Sequence, residues 1–521
     1  MNTRGFAEEP LSSLPPERNG KMIPQYDVGV VGYGACSAVL VNLLLERGLS
    51  VIVFERDANV MEIPRAAHFD DETLRTFQAL GAADDLAPSF TTSADYGIYN
   101  ALDQRVWGFS QLDPKPTDQG WLSDYWFFQP DFEHYLRAKA LDHGATAKLH
   151  SEVTDLEERE DGVVITYRDL QAVDGKPSQQ AFVKYVVGAD GARSFVRKHA
   201  AIDMESLAPS QRWMIVDIQV HDGLDAQLSK DCWTKVTPEE TITFVPMPKR
   251  MQRFEFSMKE HLTENDVKSD ESIAEFISKW FQPGEYDVLR ADVYHFHSLV
   301  ANDWRKGRVL IAGDAAHLMP PFLGQGVCSA IRDALNLAWK LARVVKGTSS
   351  ETLLDTYGSE RRPHAHTLVQ IAGEVGNNLQ WMANASPEEL AAMKQHDYEQ
   401  ARPPLGPGVF SSSRSGGTLS PQPRLSDGTL LDYRVGYNFA LVGSPDLIAA
   451  ISPQTASMLA DLGAAIVPDD GNDMQEALAK IGGAAMLIRP DRYLVGVADT
   501  AAEIDEMVEN LALSLRLAVA A

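Results

Sequence analysis

Small and apolar residues first gather without interruption at Val28–Val31, in DVGVVG, and again at Val51–Phe54, in SVIVFE. Between them SAVLVNLLLERG is apolar along most of its length and closes at Gly48. Two short apolar runs flanking an apolar helix predict a βαβ unit with parallel, doubly covered strands. A helix is expected over DDETLRTFQALG, then alternating strands in VVITYRD and FVKYVVGAD. WMIVDIQV, TITFVPM and QRFEFSM read as antiparallel strands, the last two joined by a short Pro-Lys-Arg turn. A strand in GRVLIAGDAAH precedes a helical run, SAIRDALNLAWKLARVVKG, whose apolar stripe reads as a buried face.

These periods predict an α/β protein in which a β-rich substrate domain, 201–295, is inserted into a Rossmann-like domain built from 26–200 and 296–376. Residues 1–25 read as a loose, Pro-rich tail. RPPLGPG and SSSRSGG mark a linker over 377–417, with a short capped helix at SPEELAAMKQ. A separate α/β domain is expected over 418–521.

A chain of 521 residues exceeds one compact core, in keeping with that division. The net charge of -26, with no basic run to offset it locally, argues against binding to nucleic acid or to an anionic membrane. Cys36, Cys232 and Cys328 lie far apart, with no metal or redox spacing, so neither a disulfide framework nor a metal site is expected and a cytoplasmic setting is. No apolar run has the length of a membrane span, and the opening residues have no signal-peptide core.

The turn after the first strand carries candidate chemistry. Gly32 permits a tight bend, Gly34 lets backbone approach a pyrophosphate at a helix N-terminus, and Ser37 stands where a third glycine is usual. Glu55 ends the second strand, 23 residues after Gly32, where a carboxylate can hold an adenosine ribose. Two further segments follow: VGADGARSFVRK, and RVLIAGDAAHLMPPFLGQG, where Gly313 and Asp314 close a buried strand before a loop with exposed backbone N–H groups.

These three segments in this order resemble the FAD-dependent aromatic hydroxylases, single-component monooxygenases acting on phenols. The likeness covers roughly Asp27 to His364. PRAAHFDDETLRTFQALG and GDAAHLMPPFLGQGVCSAIRDALNLAWKL are most similar to the 3-(3-hydroxyphenyl)propionate and phenol hydroxylases. AAMLIRPDRYLVGVA resembles the thioredoxin-like domain appended to such enzymes. That domain has no cysteine here, which excludes disulfide exchange and leaves it a structural or homodimer-forming role.

The resemblance implies FAD as cofactor and NAD(P)H as co-substrate. It places Gly32, Gly34 and Ser37 at the pyrophosphate, Glu55 at the ribose, Arg65 and Gln129 on FAD, and Val153 at the adenine. Asp190 belongs to a motif linked with FAD and NAD(P)H, Gly313 and Asp314 to the ribityl region, and Pro320, Gly324, Gln325 and Gly326 to the isoalloxazine. Val327-Cys328 departs from the usual pair after that loop. The implied reaction is O2-dependent hydroxylation of a phenolic ring through a flavin C4a-hydroperoxide, the protein orienting the cofactor and excluding water.

A base near the hydroxyl would assist, and Asp70 aligns with the active-site aspartate of phenol hydroxylases; Asp70 equally fits a helix cap. Arg253, with Phe254 or Phe256, is a candidate for holding a substrate carboxylate and ring, against a surface arginine among core phenylalanines. His317 reads as a packed histidine. Two other functions remain open on sequence: a same-fold flavoprotein oxidising, epoxidising or dehalogenating a larger substrate, and a non-catalytic FAD-binding protein.

Overall fold

The βαβ pattern at the start of the chain is the seed of the first sheet. The computed structural model describes residues 17–18, 21–93, 95–110, 114–172, 178–397, 400–411 and 414–515, so most of the expected N-terminal tail lies outside the described residues. Gln25–Val31 pairs in parallel with Val51–Phe54, Val28 opposite Val51, and the helix Ala35–Glu46 crosses between them. Gly48 ends that helix at φ +72°, a left-handed conformation that glycine adopts without strain.

Thr146–Lys148 extends the parallel order beyond Val51–Phe54, and Gln179–Gly188 extends it on the other side of Gln25–Val31. Beyond Gln179–Gly188 lie Val309–Ile311, parallel, and a hairpin of Ser151–Glu158 with Val163–Asp169. The helix Gly326–Val345 packs on Ala35–Glu46 and is buried nearly throughout. Parallel strands covered by helices explain why the apolar runs are continuous rather than alternating.

A second sheet of nine strands forms a roof. Its order is His317–Leu318, Tyr286–Ala301, Met204–Val220, Met251–Ser257, Thr241–Pro246, Cys232–Val236, Asp95–Tyr99, Arg105–Ser110 and His396–Asp397. It therefore draws strands from outside the 201–295 span expected from sequence. Thr241–Pro246 and Met251–Ser257 form the expected antiparallel hairpin, with Lys249 and Arg250 both at φ +61° in its turn.

Residues expected to open a linker instead continue the long helix Asp355–Asn384, and the capped helix is Pro387–Ala391, with a Ser386/Glu389 capping box. The last sheet has the order Ala465–Pro468, Ala440–Gly443, Ala485–Ile488 and Leu494–Ala498. Its first two strands are parallel and the others antiparallel, the connectivity of a thioredoxin-like domain.

Buried charge joins this domain to the first body. Glu360 accepts from Arg489 through both carboxylate oxygens, at 2.9 and 2.7 Å, and from Lys340 at 2.6 Å and Asn336 at 2.8 Å. Arg75 donates to both oxygens of Asp432, at 2.7 and 3.0 Å. Among the described residues no helix is long and apolar enough to cross a membrane.

Candidate active site

One cleft of about 750 Å³ runs from the first turn of the parallel sheet to the inner face of the roof. At its first end the backbone turns at Gly32, φ +91°, against the Ala189–Asp190 turn: a Cβ on Gly32 would lie 2.4 Å from the Ala189 carbonyl oxygen. Gly34 caps the helix Ala35–Glu46, whose start carries no side-chain cap hydrogen bond among the described residues. A Cβ there would meet only Arg65 Nη2, at 3.7 Å. Free helix-end donors beside an open glycine face and a guanidinium suit a pyrophosphate.

Glu55 lines this end and is oriented by the N–H groups of Tyr33, at 2.8 Å, and Asp57, at 2.9 Å. Asp190 also lines it; one oxygen accepts from Phe195 and Val196 N–H, while the buried Oδ1 has no partner. Gln129 reaches the cleft and accepts from the N–H groups of Arg65 and Ala66, at 2.9 and 2.8 Å, which fixes that loop. Val153, Asp314, Gly324 and Gly326 complete the predicted residues found in the lining. The donor set and the open glycine therefore fit FAD.

Four residues expected beside the cofactor do not line the cleft. Ser37 is fully buried in the helix, and Gly313 and Pro320 lie beneath the surface. Gln325 turns inward, where its Oε1 accepts from Arg332 at 2.9 Å. These positions shape the backbone; their side chains do not face the cofactor space.

Asp70 needs the larger correction. It caps the helix Asp71–Ala79, accepting from Thr73 N–H at 2.9 Å and Thr73 Oγ1 at 2.7 Å, and its other oxygen pairs with Arg332. It is fully buried and outside the cleft lining. Burial opposes its charge, but the Arg332 guanidinium outweighs that and holds the carboxyl well below the usual range. A carboxylate so held is a cap and an ion-pair partner.

At the roof end, Arg253 lines the cleft but its donors are committed. Nε donates to Asp217 at 2.8 Å, and Nη1 and Nη2 donate to the carbonyls of Arg65 and Pro64, at 2.8 and 2.5 Å. Arg290 pairs with the same carboxylate at 2.6 Å and donates to Tyr294 Oη at 3.1 Å. Register explains the triad: Asp217 stands directly opposite both arginines on the neighbouring strands. Both guanidiniums thus face Asp217, while Arg290 Nε is buried without a hydrogen-bond partner.

Phe254 and Phe256 face the other side of the roof. They pack with Phe244, Ile273, Ile277 and Trp280; Phe254 lies 4.7 Å from Trp280 and Phe256 4.8 Å from Phe276, between ring centroids. Strand alternation sends Arg253 and Glu255 to the cleft and these rings to the opposite core. Phe254→Leu should lower stability by about 1–2 kcal/mol in denaturant unfolding without altering substrate preference. Altered preference at unchanged stability would return Phe254 to the cleft wall.

Sequence reasoning missed several lining groups. Arg137 and Glu133 follow Gln129 at four-residue spacing on one helix, a cue that places all three on one face. Glu255, Arg290 and Tyr294 come from roof strands whose pairing the sequence does not reveal. Burial pushes the Glu255 carboxyl up. Ile98, Trp107, Trp126, Ile215, Phe296 and Leu379 supply apolar surface for a ring. His317 is a packed histidine, bonded to Asp333 at 2.8 Å, and all three cysteines are free and buried.

A dinucleotide cradle running into a chamber walled in part by aromatic and aliphatic side chains suits a flavoprotein that acts on a ring. Comparison with known proteins agrees. Residues 25–372 match the family model described as FAD binding domain, and the chain belongs to that family. It is 30% identical, over 95% of its own length and 96% of the relative's, to a "Probable NADH-specific resorcinol 4-hydroxylase" of Rhodococcus jostii. It is 28% identical, over 95% of its length and 93% of the relative's, to a 3-(3-hydroxy-phenyl)propionate/3-hydroxycinnamic acid hydroxylase of Burkholderia vietnamiensis.

Among solved structures, the flavin-dependent monooxygenase PieE, in complex with FAD and substrate, superposes with a TM-score of 0.79 at 20% identity, covering 95% of this chain and 99% of that one. That likeness shows the fold. The chain is an FAD-dependent monooxygenase of the aromatic hydroxylase type, and the non-catalytic reading falls.

Proposed function

We propose that the chain hydroxylates an uncharged phenolic ring with NADH and O2 as co-substrates. When bound, FAD supplies the reduction of O2 and the transfer of one oxygen atom. Gly32, Gly34 and the first turn of Ala35–Glu46 bind its pyrophosphate, Glu55 its ribose, and the Gly324–Gly326 loop its ring. The roof encloses the substrate against Trp126, Phe296 and Leu379 and excludes water.

Ion pairing at the roof end supports the substrate reading. His68 faces Asp124, and Arg253 and Arg290 both face Asp217, so among the described residues each of these cations already has a carboxylate beside it. Burying a substrate carboxylate without a cation partner costs several kcal/mol. The relative named for resorcinol, an uncharged phenol, and its NADH specificity support the same assignment.

Resorcinol and 3-(3-hydroxyphenyl)propionate should be compared with the FAD-loaded enzyme, NADH consumption and hydroxylated product being measured together. The expected kcat/KM is on the order of a hundredfold higher for resorcinol. Equal or higher efficiency on the propionate would overturn the assignment.

A further inference from the structure

Glu255 lines the roof end of the cleft without a task in that reaction. It stands on the strand Met251–Ser257, directly opposite Ile215 on one neighbouring strand and Thr243 on the other, and both of those residues line the cleft as well. The residue is otherwise enclosed, with 5% of its surface exposed. Among the described residues no hydrogen bond reaches its carboxyl, and its two oxygens, unlike Arg290 Nε, are not sealed from the cleft space.

The polar groups around it are committed elsewhere. Thr243 Oγ1 bonds to Thr234 Oγ1 at 2.9 Å, and Arg253 and Arg290 pair with Asp217. Burial pushes the Glu255 carboxyl up, against the attraction of the two guanidiniums and with the repulsion of Asp217. A buried carboxyl with no hydrogen bond costs stability, so its place in the wall calls for a ligand that completes it.

Glu255 also belongs to the part of the chamber that faces the flavin loop. Burial raises the Tyr96 hydroxyl and the Cys232 thiol, and the charges of Glu255 and Asp124 add to that shift in both. Asp124 in turn bonds to His68 at 2.8 Å, whose Nδ1 lies 3.2 Å from the Gly324 carbonyl oxygen. A ring held against that loop therefore has Glu255 in the wall around it.

Resting on the hydroxylation of an uncharged phenol argued above, we propose that Glu255 is a specificity-determining residue that selects phenols carrying a second ring hydroxyl, from which a carboxyl oxygen accepts a hydrogen bond. The surroundings narrow the choice to that group. A substrate carboxylate would add negative charge beside Asp217 and Glu255, and an ammonium group positive charge beside Arg253 and Arg290. An ether or methyl substituent has no hydrogen to give and would leave the carboxyl unpartnered and shut off from water. An O–H group serves whether Glu255 is neutral or charged, since an acceptor oxygen is present in both forms. A site built around such a bond rejects the analogue that lacks it, because the buried acceptor is then left unsatisfied.

The test is Glu255→Leu in the FAD-loaded enzyme, with resorcinol and 3-methoxyphenol as substrates. The ether keeps the electron release of the second hydroxyl without its hydrogen, so the reactivities of the two rings stay matched. The kcat/KM for resorcinol should fall roughly thirtyfold, mostly through KM, while that for 3-methoxyphenol changes by no more than about threefold and FAD content is unchanged. Glu255→Gln, whose amide oxygen still accepts, should keep most of the preference. Equal losses on both substrates, or an unchanged ratio, overturn the proposal.

If Glu255→Leu does not retain FAD, the wild type carries the test through difference spectra of its bound flavin. Resorcinol should bind about tenfold or more tightly than 3-methoxyphenol. Equal or weaker binding overturns the proposal. A wild type that hydroxylates no phenol removes the parent reading and this one with it; a productive wild type beside a variant with an unchanged ratio overturns this one alone.

Discussion

Gly34→Val should give a folded protein that retains no FAD. The position is open on its cleft side, the nearest atom to a built Cβ being Arg65 Nη2 at 3.7 Å, so the side chain finds room in the protein alone. That room is the approach to the N–H groups of Ala35–Glu46, where the pyrophosphate must sit. Flavin absorbance after gel filtration and the thermal midpoint of the apoprotein separate the two effects. A variant that keeps full flavin would show that the pyrophosphate lies elsewhere. Gly32 sets the contrast, since any Cβ there strikes the Ala189 carbonyl and damages the turn itself.

Glu360→Gln should destabilise the whole chain by about 3–5 kcal/mol, because it leaves the Lys340 cation buried without its counter-charge and Arg489 with Asp491 alone. The Glu360, Lys340 and Arg489 side chains are inaccessible to solvent. Burial opposes ionisation of Glu360, but Arg489 and Lys340 prevail and bring its pKa to about 2. Its folded pKa is depressed, so the stabilisation is present above the ordinary carboxylate range and is lost as pH falls toward about 2. Denaturant unfolding at neutral pH measures the cost. A variant within about 0.5 kcal/mol of wild type would show that the network relaxes or admits water.

Local signals carried the first half of this architecture. The strand, glycine turn, helix and acidic strand end follow from spacing within thirty or so residues, and the structure keeps them in register from Val28 opposite Val51 onward. Gln129 was legible by likeness, and its helical spacing reaches Glu133 and Arg137. The roof was not legible in the same way. Arg253, Phe254 and Phe256 cannot all face one pocket, since neighbours on a strand point to opposite sides. That rule divides them, but deciding which side is the cleft requires Asp217 and Arg290, brought opposite by strand pairing.

Asp70 shows a different limit. A carboxylate before a helix reads alike as cap and as base, and only Arg332, 262 positions away in sequence, decides between them. The pairing of His68 with Asp124 was hidden for a similar reason: it depends on two three-residue strands too short to leave a periodic signal.

The shared charges between the thioredoxin-like domain and the flavin body also constrain inheritance. Glu360, Lys340 and Arg75 are matched to Arg489 and Asp432 across the boundary, each hidden from solvent. A domain taken from a relative would bring cations and carboxylates to sockets shaped for other partners. The two parts must therefore drift together, and a working chimera would have to carry both halves of each buried pair.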